Sequence, residues 1–393
     1  MTQAVHAAAP AVPASSAPAA PTALHPACQA QRHDGMAAIR TLQASWQALA
    51  DVRSENSPFA GPGFVLAALE AYHRQAQPVL HAVGRPGALE AVLPLIRRPL
   101  RRWGAPVNQL MSPHNPQFIL NDPLLCRADA GTALDAATGL LRSLLAERWD
   151  SLVLQHLPPE AARCLQAAAQ QLGLGGDGLE PSRSLHVAVI EGSYADYLAT
   201  RSRDHRWQIK KFTRRAAEAG GWHVEKRSTA AAIEAAFPAW FEIERQSWQG
   251  ATPAAAMTDA DRYFMQRLLR ELPPEERGEL WLLHMAGEPA AALRMLGGRR
   301  RTCVHTMHFA QRFKEFAPGT LLLAAMLEDA CARGLAEVDF HGHGAHFKRW
   351  ATEQRPLFSL RLYRPGVRGA LFRGARRLYR RWAEVRAPAL VAE

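Results

Sequence analysis

Cysteine is scarce in this chain of 393 residues and badly placed for cross-linking. The five (Cys28, Cys126, Cys164, Cys303, Cys331) are an odd number at wide spacings with no C-x-x-C pair. That excludes a disulfide framework or a cysteine-based zinc site and leaves ordinary reduced thiols. Long apolar runs are missing too. The longest, Leu321 to Leu327, has seven residues, far short of the roughly 18 that cross a bilayer, so no transmembrane helix is expected. No charged residue precedes Arg32, so the basic start of a secretory signal is lacking and a cytoplasmic address is expected. No Walker lysine motif is present, which removes the main support for nucleotide hydrolysis. Lysine itself is rare, five residues against 42 arginines.

What remains is enough for a folded protein. The length predicts two to three domains, and 48% hydrophobic residues can fill their cores. The net charge of +11 is local: residues 201–215 carry seven basic and one acidic side chain, and residues 361–386 carry nine arginines and one glutamate. These surfaces are built to meet anions, whether phosphate, anionic lipid or nucleic acid. The first 30 residues, with 12 alanines and five prolines, are too poor in large apolar groups to pack, and residues 1–35 are expected to be a disordered tail.

Beyond the tail the pattern is α/β. Residues 79–84 and 89–97 read as strands joined at Pro86-Gly87, and residues 134–147 as a helix before a strand at 150–156. A similar hairpin at 283–300, helix at 320–333 and strand at 335–341 suggest one unit used twice. In the second copy a single helix is predicted from Ser193 to Gly220, then a strand at 222–226, two helices, and a meander of three strands.

Ala317-Pro-Gly-Thr-Leu321 lies between a strand and a helix. The free N–H groups and positive dipole end of such a start can hold a phosphate, with charge from Arg312 and Lys314, although Pro-Gly also serves simply to begin a helix. After that helix, alternation places Val338 and Phe340 on one face of a strand and Asp339 and His341 on the other, at the end where α/β sheets bind ligands. His341, His343 and His346 invite a metal reading, but Gly342 and Gly344 interrupt the strand and no cysteine or further carboxylate completes a set, so no metal is expected. His305 and His308, three apart on a strand, are expected on opposite faces in structural roles.

The run Phe237-x-x-Trp-Phe-x-Ile-Glu-x-x-Ser-Trp248, then Gly287-Glu-Pro-Ala-Ala291, Phe316-Ala-Pro-Gly-Thr-Leu321, and Asp339-Phe340 with Lys348 and Trp350 downstream, resembles the acetyltransferase-like proteins of the cellulose-biosynthesis CelD type. That family is similar to the FemAB aminoacyl transferases and to tandem GNAT N-acetyltransferases. The resemblance covers roughly residues 40–360. It implies tandem GNAT folds, with mixed sheets flanked by helices, in an N-terminal domain at 36–184 and a C-terminal domain with the active site at 185–365. It also implies an acyl-CoA donor, acetyl-CoA in the simplest case, and transfer to an amine or hydroxyl of an envelope or exopolysaccharide precursor. The alternatives are a non-catalytic accessory protein of a polysaccharide complex and a FemAB-like enzyme using aminoacyl-tRNA. By the resemblance, Phe309, Arg312, Gly319, Thr320 and Leu321 would hold the donor, and Trp248, Arg294 and Trp350 would lie on the acceptor side. Lys348, Asp339 and His341 would be catalytic. The family's tyrosine before the lysine is Phe347 here, so a tyrosine acid is not available at that position.

No motif for reading a nucleic-acid sequence accompanies the arginines. Residues 366–393 form a separate C-terminal segment. Within it Leu371, Ala375, Leu378, Trp382 and Val385 recur at helical spacing among arginines, which suits either an anionic membrane surface at the inner face or packing on the protein's own body.

Overall fold

The structure, a computed structural model, describes residues 29–53, 57–85, 87–102, 104–115, 120–125, 130–253, 255–297, 300–341 and 345–386. The first half runs β1 (Gln29–Asp34), α1 (Gly35–Arg40), α2 (Gln43–Arg53), α3 (Pro62–Tyr72), β2 (Gln77–Arg85), β3 (Ala88–Arg102), β4 (Ala105–Met111), α4 (Ala130–Leu145), β5 (Ser151–Leu157) and α5 (Pro159–Gln171). A long strand, β6 (Gly175–Val189), leads into α6 (Tyr194–Ala199), α7 (Arg203–Glu218), β7 (Trp222–Arg227), α8 (Ala230–Arg245) and α9 (Asp259–Glu271). The chain ends with β8 (Leu280–Met285), β9 (Glu288–Gly297), β10 (Arg301–Phe309), α10 (Pro318–Ala332), β11 (Glu337–Asp339), α11 (Ala345–Lys348), β12 (Glu353–Tyr363) and α12 (Val367–Arg386).

All strands join one sheet in the order β1-β2-β3-β4-β5-β12-β6-β11-β10-β9-β8-β7. The order reads the same from both edges: an antiparallel run, one parallel pair (β4 with β5, β10 with β11), then an antiparallel partner. The repeat seen in the sequence is therefore a repeat of topology. The last strand of each half is exchanged, since β6 pairs with β11 and β12 with β5, while β6 and β12 pair with each other along most of their length. The division expected at residue 184 falls inside β6.

The faces are covered differently. On one face α2 and α3 meet α8 and α9, so a single core containing Trp46, Phe64, Trp240 and Phe264 belongs to both halves. Gly63 sits where α3 crosses α9: a Cβ there would stand 2.5 Å from the carbonyl oxygen of Glu271, and any side chain would force the helices apart. On the other face α4 and α5 cover the first half, and α7 and α10 the second. Leu321, Leu322, Leu323 and Leu327 of α10 are all fully buried, each contributing about 1.5–3 kcal/mol.

Two expectations change. Gln29–Asp34, placed in the disordered tail, pairs with β2 from Gln29↔Gly84 to Asp34↔Val79, a polar edge strand whose ladder bonds no apolar alternation announces. The helix expected from Ser193 to Gly220 is two, because Ser202 accepts the His205 N–H at 3.2 Å and caps a new start. The glycines of Gly173-Leu-Gly-Gly-Asp-Gly178 have dinucleotide-loop spacing, but they lead from α5 into β6, the reverse of the strand-to-helix context such a loop needs. Among the described residues no helix is long and apolar enough to cross a membrane.

Candidate active site

β10 and β11 pair at three positions only, Arg301↔Glu337, Thr302↔Val338 and Cys303↔Asp339. β10 then continues to Phe309, while the chain after Asp339 turns off through His341, whose φ is 53°. The two strands part like a wedge, and beyond Cys303 the edge of β10 facing β11 has no strand partner among the described residues. A bulge between Val304 and Thr306 bends β10 at the point of parting. At the mouth, Ala317 in a left-handed conformation (φ 51°) starts α10 without a side-chain cap, so the helix's positive end is left unscreened by any cap. Pro318 brings no N–H, and the Thr320 N–H turns back to the Ala317 carbonyl at 2.8 Å.

The corresponding place in the first half is filled. β4 and β5 also pair at three positions. Beyond them the Ser112 N–H donates to the Val153 carbonyl (3.0 Å) and the Gln155 N–H to Ser112 Oγ (3.0 Å). Asn121 donates its N–H to the His156 carbonyl (3.1 Å) and its Nδ2 to the Gln155 carbonyl (3.0 Å). The space left among Phe59, Val65, Leu154 and Asn121 is about 10 Å³, no more than one water.

On the α3 side of the open wedge lies a histidine pair. His341 is buried and stacks on Phe59 (4.5 Å, 15°), with the His305 ring 5.6 Å away. No ring nitrogen of either has a hydrogen-bond partner among the described residues. Burial pushes His305 down to about 3 and holds His341 well below the usual imidazole range, so both are neutral. A neutral imidazole keeps one donor and one acceptor, and leaving them unmet inside a protein is costly. His305 and His308 do not point to opposite faces. The bulge adds a residue between them, so His308 reaches Trp240 on the same side as His305.

Asp339 lies beside this pair, on the same face as expected, with Val338 and Phe340 in the opposite core. Its Oδ1 accepts the His341 N–H at 2.8 Å, and burial raises its carboxyl to about 6. Lys348 ends α11 and is exposed. Gly319 fits under β10: a Cβ would meet Met307 Cε at 3.3 Å and Phe309 at 3.8 Å, so its smallness serves helix–strand packing. The Leu321 side chain is core, leaving only its main chain toward the mouth. Arg312 is engaged by Glu288 at 2.6 Å and by Gln246, whose carbonyl accepts the Gln311 N–H at 3.0 Å. Those bonds bring the 246–248 turn to the mouth, and Trp248 on it is 53% exposed.

Arg294 and Trp350, expected on the acceptor side, are core residues. The Arg294 guanidinium is 1% exposed and clasps the carbonyls of Glu279 (3.0 Å), Arg277 (2.6 Å) and Met295. Trp350 is fully buried, edge-on to His205 at 4.4 Å, and its carbonyl accepts the Tyr197 hydroxyl. Gly342, His343 and Gly344 lie outside the described residues. Among the described residues, His223, Glu225 and His284 gather within 4.8 Å on the β7–β8 edge. Their imidazoles stack at 4.8 Å and 6°, and Arg227 already occupies Glu225 at 2.6 Å.

Residues 203–349 match the acetyltransferase (GNAT) domain. That stretch runs from α7 to α11 and contains the open wedge. No curated protein matches the chain. Among solved structures, FemX is similar at 13% identity over 84% of this chain and 96% of its own, with a TM-score of 0.56. The C-terminal domain of a putative lysylphosphatidylglycerol synthetase from Agrobacterium fabrum is similar at 10% identity over 84% and 95%, TM-score 0.53. A conserved protein of unknown function from Bacteroides thetaiotaomicron is similar at 10% identity over 82% and 97%, TM-score 0.53. These likenesses are of fold. Together with the internal repeat they make the molecule an α/β protein of two topologically alike halves on one mixed sheet, the second of which carries the match to the GNAT domain.

Proposed function

We propose that the protein is an acyltransferase that takes an acyl group, acetyl in the simplest case, from a coenzyme A thioester held in the β10–β11 wedge. The acceptor is an amine or hydroxyl of a cell-envelope precursor, met at the inner face of a membrane. The observation that carries the reading is the parting of the strands after Cys303 and Asp339 beside the uncapped start of α10. The unpaired edge of β10 suits the amides of pantetheine, and the Gly319 N–H at the positive end of α10 suits the pyrophosphate.

In the reaction the acceptor's lone pair attacks the thioester carbonyl carbon. The carbon–sulfur bond then breaks, and the proton lost by the acceptor ends on the departing thiolate. Main-chain N–H groups at the β10 bulge would stabilise the oxyanion, and Lys348 would supply positive charge from α11. His341, neutral and adjacent to Asp339, accepts a hydrogen bond from the incoming amine or hydroxyl and orients its lone pair. Trp248 offers an exposed aromatic face to the acceptor.

The test is release of free thiol from acetyl-CoA with a panel of amine and hydroxyl acceptors. Acceptor-dependent release supports the reading, and donor binding without release for any acceptor would leave an accessory protein. A second reading, an aminoacyl-tRNA donor, is favoured by α7, where Lys210, Lys211 and Arg214 are exposed beside Trp207. It requires that tRNA compete with coenzyme A for the protein in a salt-dependent way.

A further inference from the structure

Helix α12 is docked the opposite way round from an ordinary surface helix. Five of its arginines, Arg368, Arg373, Arg376, Arg377 and Arg380, reach carboxylates of the protein's body. Arg376 reaches the buried Asp177 at 3.1 Å, with Arg373 and Arg377 at 4.0 Å. Arg380 and Arg376 share Glu180, and Arg368 holds Asp150 at 2.6 Å. At its start the helix lies on main chain: a Cβ at Gly369 would stand 2.0 Å from the Arg364 carbonyl oxygen. The apolar stripe points outward. Val367 (79%), Leu371 (67%), Leu378 (69%) and Tyr379 (56%) are exposed, and Trp382 is half exposed with its ring 5.9 Å from Tyr379. Five of the eight large apolar side chains exposed among the described residues are on this one helix.

An amphipathic helix usually turns its apolar side inward. Here the ion pairs to Asp177, Glu180 and Asp150 fix the reverse orientation, so the outward stripe is a built feature of the fold. A contiguous apolar patch of this kind on a soluble surface marks a site of contact.

We infer that the outward face of α12 is a docking surface for an anionic phospholipid membrane. Charge selects the occupant. The helix carries seven arginines and one glutamate, and Arg381 and Arg377 flank the stripe in exposed positions. A cleft of about 440 Å³ opens alongside between the helix and the β12 end, lined by Gly366, Arg373, Gly374 and Arg377, a seat of the right sign for a lipid phosphate. Two copies packed stripe to stripe would bring these like charges together. Leucines that enter the headgroup layer, a tyrosine and a tryptophan at its boundary, and flanking arginines are the chemistry of an interfacial helix. This surface is independent of the wedge and does not depend on which donor the enzyme uses.

The experiment is co-sedimentation of the full chain with vesicles of phosphatidylcholine alone and of phosphatidylcholine with phosphatidylglycerol, at low and high salt, with solution mass measured in parallel. Wild type is expected to bind the anionic vesicles at least tenfold more tightly than the neutral ones, with binding weakened by salt. Leu371→Ser/Leu378→Ser is expected to lose at least tenfold in binding while its melting temperature and the thiol-release activity in detergent-free solution stay unchanged. Arg381→Glu, outside the docking ion pairs, should weaken only the anionic, salt-sensitive part. Equal binding by wild type and the double variant would overturn the inference. So would absence of vesicle binding, or a dimer that the double variant dissociates.

Discussion

His156 and His341 end the central parallel strands of the two halves in the same left-handed conformation, with φ of 56° and 53°. His156 Nδ1 lies 3.2 Å from Ser182 Oγ beside a wedge stitched shut by Ser112 and Asn121, whereas the His341 ring nitrogens find no partner among the described residues. One topology occurs twice, and among the described residues the bridging side chains are found in the first copy alone. The proposal that the donor binds in the second half rests on this difference among the described residues and on the match of residues 203–349 to the GNAT domain.

Placing a carboxylate at the mouth should separate stability from binding. Thr320→Glu puts negative charge in the first turn of α10, which favours the helix by about 0.3–1 kcal/mol. The same charge would repel a pyrophosphate. The expected result is an unchanged or slightly higher melting temperature with at least a tenfold loss in acetyl-CoA affinity by calorimetry; unchanged affinity would move the pyrophosphate elsewhere.

Lys348 is exposed and in none of the ion pairs seen among the described residues, so its removal should cost little stability. If it stabilises the developing oxyanion, Lys348→Met should lower turnover by about ten- to a thousandfold. Steady-state kinetics beside a thermal melt check this. Full turnover in a folded variant would make Lys348 an ordinary surface charge.

Glu276 offers a test of buried charge. Its carboxyl is buried between the halves, accepts one bond from Gln47 Nε2 at 3.0 Å, and is raised by that burial to about 7. Because the folded value lies above the unfolded one, the native state holds this proton more tightly. Stability is then full below about pH 4.5 and is lost as pH rises through 7. Glu276→Gln should raise stability by about 1–3 kcal/mol at pH 8 and by nothing at pH 4.5, as read by denaturant melts.

The buried histidines act in the other direction. His305, His308, His156 and His205 are all lowered by burial, to about 3 for His305 and about 4 for the others, so the unfolded chain binds their protons more tightly. Their stabilisation is full above pH 6.5 and disappears as pH falls toward 4. With more such groups than raised carboxylates, the wild-type melting temperature should drop between pH 6.5 and 4, and His308→Leu should make the drop shallower by about 3 kcal/mol. An equal drop in the variant would remove His308 from the account.

Local patterning carried much of this structure. The β2–β3 hairpin, the start of α10 and the facing of Asp339 with His341 all follow from turn residues and a period of two. Long-range pairing did not show. β12 crosses to β5 of the other half, and nothing local in residues 353–363 announces that partner. The bulge at Val304 that puts His305 and His308 on one side is set by the parting of β10 from β11, so a uniform strand period misassigned them. The resemblance puts Arg294 on the acceptor side, whereas its three carbonyl partners, in the 277–279 turn and its own strand, come together only in the fold. For α12 the stripe was legible, but the side facing the body was not, because Asp177 and Glu180 lie almost 200 residues away in the chain.

Backbone hydrogen exchange with and without acetyl-CoA tests the central assignment most directly, because both wedges are read in one experiment. Protection on adding donor should appear in β10 from Val304 to Phe309, in the first turn of α10 and in β11, and residues 105–123 and 151–157 should exchange unchanged. Protection confined to the first-half wedge, or none at saturating donor, would contradict the account.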